Sequence, residues 1–188
     1  MTEAMALPRE RTAKDWKFSP VTSHHHLSFR CRDAEETRQY YEDFLGLEFT
    51  AAIPTTMEID GRQVQALNMM FRMQGGDFIT FYDVRDGGEF DLPDLGPLDR
   101  HLAFKVPSKE AWDVWVQRLT DAGVKFEGPL DHDFVRSVYW PDPNGVWLEF
   151  AYEVQEHEDI IAALELEARK GMADWTVMTS DIKQAGGK

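Results

Sequence analysis

The chain has 188 residues with a formal net charge of −14, a length that suits one domain or two small modules sharing a core. The negative balance argues against nucleic acid, which needs clustered Lys and Arg, and against anionic membrane surfaces; no apolar run reaches the length of a bilayer span. Twelve Phe and six Trp supply bulky core material. The single cysteine, Cys31, has no partner for an internal disulfide, as expected of a cytoplasmic protein.

In chain order, residues 1–22 read as an N-terminal extension, polar and charged, without the apolar stretch of a signal peptide. Residues 23–85 read as a first module. Its opening stretch, HLSFRCRDAEETRQYYEDFLGLEF, starts as a strand at His26 and reaches a helix N-cap at Asp33, with Glu36 completing a capping box. Gly46 suits the left-handed position that closes a helix, and apolar residues resume after it. Two β-rich runs follow, 63–73 and 77–84, parted by Gly75-Gly76. Residues 86–99, rich in Gly, Pro and Asp, read as a linker.

The pattern then repeats in a second module, residues 100–153. HLAFKVPSKEAWDVWVQRLTDAGVKF opens at His101, has an N-cap candidate at Ser108 and ends its helix at Gly123. Runs 136–140 and 146–152 flank Pro141-Asp142-Pro143-Asn144-Gly145, a turn signal that predicts a hairpin. The prediction is an α+β fold of two βαβββ modules. Residues 154–188 complete the chain, with helical periodicity over 156–170 that Gly171 is expected to end. That helix is a candidate for covering an edge or contacting another subunit.

Strand side chains alternate between faces. Leu27, Phe29 and Cys31 share one face of the first strand, and His26, Ser28 and Arg30 the other. Leu102, Phe104 and Val106 likewise oppose His101, Ala103 and Lys105, and Val146, Leu148 and Phe150 oppose Trp147, Glu149 and Ala151. The apolar faces belong beneath the helices. A carboxylate within WLEFAY is costly to bury unpaired, and two histidines at equivalent places in a repeat can converge on it if the curved sheets face each other. Two His and one carboxylate form the facial set suited to Fe(II) or Mn(II), with positions left open. Arg30 and Lys105 can pair with Glu149, with an acidic substrate group or with a neighbouring Asp.

HLSFRCRD…YYEDFLGLEF, RHLAFKV…LTDAGVKF and RSVYWPDPNGVWLEF together resemble the vicinal oxygen chelate superfamily over residues 23–153. That group includes glyoxalase I, fosfomycin-resistance transferases, methylmalonyl-CoA epimerase, bleomycin-binding proteins and extradiol dioxygenases. The resemblance implies a half-open, barrel-like metal site with His26, His101 and Glu149 as ligands. Thr80 stands where four-ligand members carry a further Glu, which favours three protein ligands. LDHDFVRSVYWPDPNGVWLE is also similar to the extradiol dioxygenase signature through His132, Val138, Tyr139, Asp142, Pro143, Gly145 and Glu149, with Leu130 departing from it. By that likeness His132 and Tyr139 act on bound substrate or oxygen. The acid–base His usual in extradiol enzymes is missing from GDFITFYDV, so His132, Tyr139 or Tyr82 must move protons.

The resemblance therefore implies an Fe(II) extradiol-type dioxygenase acting on a small catechol-like molecule with adjacent oxygens, working as a homodimer. The first alternative is a Mn(II), Ni(II) or Zn(II) isomerase, epimerase or thiol transferase. The second is a metal-free drug-binding protein of the bleomycin type, whose cationic ligands the negative charge would attract.

Overall fold

The computed structural model describes residues 23–86, 90 and 95–180; the expected extension over 1–22 lies outside them. Among the described residues, no helix is long and apolar enough to cross a membrane. The chain divides into two compact units, Met1–Phe90 and Asp91–Lys188.

In the first unit β1 (His26–Cys31) leads to α1 (Ala34–Arg38). Asp33 caps the helix, its side chain accepting from the Glu36 amide at 2.9 Å. The sequence predicts one continuous helix, but after Arg38 the backbone widens into a π-helical turn, Gln39–Phe44. The wider turn keeps Thr37, Tyr41 and Leu45 on one face, and all three are buried. Tyr41 seats there against Phe71 and Phe81, with ring centroids 5.4 and 4.7 Å away. Gly46, at φ +77°, ends the segment as expected.

β2 (Glu48–Ile59), β3 (Arg62–Arg72) and β4 (Phe78–Val84) follow. Asp60 and Gly61, at φ 50° and 73°, join β2 to β3, with Ile59 paired to Arg62. Both central residues need positive φ in such a two-residue turn, and Asp-Gly supplies it. The strand order is β1-β4-β3-β2. β1 and β4 are parallel and the other pairs antiparallel.

The second unit repeats the plan with β5 (His101–Lys105), α2 (Lys109–Asp121), β6 (Glu127–Asp131), β7 (Val135–Pro141) and β8 (Trp147–Glu153). Its order is β5-β8-β7-β6, with β5 and β8 parallel. Ser108 caps α2, accepting from the Ala111 amide at 3.3 Å, and Gly123 follows its end at φ +69°. The β7–β8 hairpin turns on Asp142, whose Oδ1 accepts from the Asn144 and Val146 amides, each at 2.8 Å. Val138, Trp140, Leu148 and Leu119 are fully buried between this sheet and α2. The Trp112 indole N–H donates to the Phe150 carbonyl at 3.0 Å, satisfying its polar end.

The final helix differs from expectation. α3 (His157–Met178) runs through Gly171 instead of stopping there. Gly171 does not take the left-handed φ that closing a helix requires, and a glycine inside a helix costs only about 1 kcal/mol against Ala. No residue of α3 is fully buried; His157 at its start is half-buried, its Nδ1 2.9 Å from the Phe134 carbonyl oxygen.

Candidate metal centre

Parallel pairing of β5 with β8 sets Ala103 opposite Glu149, and antiparallel pairing of β7 with β8 sets Tyr139 opposite the same residue. Directly paired residues share a face, and His101 lies two residues before Ala103 on that face. The strands therefore bring four of the five predicted residues together in the second unit: His101, Glu149, Tyr139 and His132. Glu149 Oε2 lies 2.9 Å from His101 Nε2, with the Glu side chain only 7% exposed. Glu149 Oε1 accepts a short hydrogen bond from Ser137 Oγ. His101 Nδ1 is 2.6 Å from the Pro97 carbonyl oxygen.

These contacts test the fit of a cation. The Pro97 carbonyl can only accept, so Nδ1 of His101 carries the proton. Nε2 then meets the carboxylate oxygen in one of two ways, as the N–H of an imidazolium in an ion pair or as a lone pair with a cation between the two acceptors. Two donors each about 2.1 Å from a divalent ion and at right angles around it lie about 3.0 Å apart. Donor types, spacing and the anchored imidazole thus fit such an ion.

Tyr139 stands beside this pair, its ring edge-on to His101 at 5.5 Å. Its hydroxyl is 3.0 Å from His132 Nε2, and His132 itself is exposed in the loop between β6 and β7. Burial pushes the Tyr139 phenol up from its ordinary pKa; the Ser137 hydrogen bond opposes this and Glu149 adds to it.

The first unit carries the fifth predicted residue, His26, at the matching place. His26 pairs with Phe78 as His101 pairs with Trp147. Two positions on, Ser28 pairs with Thr80 where Ala103 pairs with Glu149, so Thr80 holds the carboxylate's place. Its hydroxyl donates to the Leu27 carbonyl at 3.3 Å. Within each unit, no three described His, Cys, Asp or Glu side chains form a cluster able to hold a metal. Arg30 pairs with Asp86 at 3.1 Å and Lys105 with Glu153 at 2.6 Å. Both choose neighbouring carboxylates instead of Glu149.

Two contributors escape sequence reasoning. Alternation in RSVYW does put Ser137 on the face of Tyr139, but nothing separates it from an ordinary strand serine. Pro97 contributes through its backbone, which no side-chain pattern reports.

Twofold repetition of βαβββ, with a parallel β1–β4 type pairing in each copy, is the vicinal oxygen chelate architecture. The family model of the Glyoxalase/Bleomycin resistance protein/Dioxygenase superfamily matches residues 23–150, and the chain belongs to that superfamily. Solved structures agree on the fold. A glyoxylase/bleomycin resistance protein/dioxygenase domain from Frankia sp. EAN1pec is 24% identical, with TM-score 0.58, covering 74% of this chain and 98% of its own. A mutant of the fosfomycin resistance protein FosX from Listeria monocytogenes, complexed with Mn(II) and 1S,2S-dihydroxypropylphosphonic acid, is 17% identical, with TM-score 0.55, covering 73% and 98%. Lactoylglutathione lyase from Agrobacterium tumefaciens is 19% identical, with TM-score 0.51, covering 71% and 96%. No curated protein sequence matches the chain.

Proposed function

We propose that the protein is a divalent-metal enzyme with His26, His101 and Glu149 as ligands, and that it cleaves a catechol-like substrate as an Fe(II) extradiol-type dioxygenase. The observation that carries the metal reading is the opposition of His101 Nε2 and Glu149 Oε2 at 2.9 Å, with Nδ1 committed to Pro97. When bound, Fe(II) would supply Lewis acidity toward both oxygens of a chelated diol and redox capacity toward dioxygen.

The remaining chemistry belongs to side chains. Ser137 and the register of β8 hold the Glu149 carboxyl group in a fixed orientation. The Tyr139 hydroxyl, in contact with His132, can pass a proton to or from bound substrate. His132, being exposed, exchanges that proton with solvent. The pair thus offers the proton path that the histidine-free β4 does not. The same histidine-free β4 also supports a second reading, a Mn(II)-type isomerase or transferase in which the Tyr139–His132 pair serves as acid–base group.

Oxygen uptake by anaerobically Fe(II)-loaded protein, followed with the ultraviolet–visible spectrum over a panel of catechols, tests the proposal. Uptake with a yellow ring-opened product, lost in His101→Ala, supports the dioxygenase. Metal binding without uptake across the panel, but with proton exchange at a substrate carbon, moves the assignment to the isomerase class. Absence of any divalent-metal binding overturns both.

A further inference from the structure

A histidine that offers one ring nitrogen to a cation needs the other committed elsewhere, or the ring is free to rotate and change tautomer. For His101 the commitment is the Pro97 carbonyl. His26 has a side-chain partner instead: its Nδ1 lies 2.9 Å from Nδ1 of His25. The two rings stand edge-on, 5.2 Å apart at 86°. At that distance one nitrogen donates and the other accepts.

His25 is itself seated on the sheet. Its carbonyl accepts from the Phe78 amide at 3.1 Å, and its ring lies 6.0 Å from the Phe78 ring. Arg72 covers Phe78 with its guanidinium 5.2 Å from the ring centroid. Phe78 is in turn the register partner of His26, so both histidines are referred to one fixed point on β4.

We propose that His25 is a positioning residue for His26. Its Nδ1 accepts the proton on His26 Nδ1, which fixes the His26 tautomer with Nε2 free for the cation. The two ligand histidines would then be oriented in the same sense, one by a backbone carbonyl and one by a neighbouring ring. The proposal rests on the metal reading given above.

Two measurements test it, the first without metal. Long-range proton–nitrogen NMR of the metal-free protein, above the imidazole titration range, should show the proton of His26 on Nδ1, and His25→Ala should release it toward Nε2. Parent protein with the His26 proton already on Nε2 overturns the inference. The second is titration with Co(II), read by its visible absorption. His25→Ala should weaken binding by about 10–100-fold. His25→Asn, whose Oδ1 can stand where Nδ1 does, should restore most of the loss. If His25→Ala binds like the parent while Glu149→Gln does not, this inference fails and the metal centre stands. If Glu149→Gln also binds like the parent, the metal reading itself fails.

Discussion

Ser137 donates to the one oxygen of Glu149 that His101 does not face. Ser137→Ala removes a donor from the buried Glu149 carboxylate, a loss of about 1–3 kcal/mol. Urea unfolding should show the lowered midpoint, and metal affinity should fall with it because the carboxylate loses an anchor. Cys31 makes a different test. Burial, with Asp83 and Asp33 adding to it and the Thr37 hydrogen bond opposing, pushes its thiol from 9.0 to about 11. The unfolded thiol ionises first as pH rises, so the stability gained by burying it neutral is complete below 9.0 and lost between 9.0 and about 11. Denaturant midpoints should fall across that window in the parent and fall less in Cys31→Ala, while thiol reagents should label native protein far more slowly than unfolded. At this scale strand alternation put His101 and Glu149 on one face, while His132 and Tyr139 stood out only through the family resemblance. Ser137 and the Pro97 carbonyl were not legible, since their roles come from a diagonal contact and from backbone direction.

Among the elements, the β6–β7 pair is tightly constrained at Gly128. Gly128 sits at φ +112°, and a Cβ there would meet the Ser137 carbonyl oxygen at 2.8 Å. Gly128→Ala should cost roughly 1–3 kcal/mol in backbone conformation, with the clash added. Because the displaced backbone is that of Ser137, thermal unfolding and metal affinity should both suffer. Strands and capped helices could be read from alternation, Asp33, Ser108 and the closing glycines, all short-range signals. The π-helical turn could not, because the need to keep Thr37, Tyr41 and Leu45 on one face comes from the sheet beneath them. Gly171 misled for the converse reason: glycine closes a helix only when the chain turns left-handed there, and tertiary context decides that.

At the scale of the whole molecule, the repeat was the most legible feature, because the same order of strand, cap, helix and glycine recurs with His at each start. Sequence did not reveal how little α3 buries: His157, Ile160 and Ile161 are half-buried and the rest of the helix is exposed. Residues from Asp159 onward carry most of that helix, and among the described ones only Thr179 is buried. Removing them should shift the thermal midpoint by no more than a few degrees and leave Co(II) binding unchanged. By contrast, a divalent ion present at about 100 times its Kd should stabilise the parent by about 2.7 kcal/mol, and Glu149→Gln should abolish that gain. The unequal pairing of Thr80 and Glu149 at matching positions bears on inheritance as well. Gene conversion from one repeat to the other would leave either two carboxylates or none, so the likeness that builds the fold would also put the site at risk.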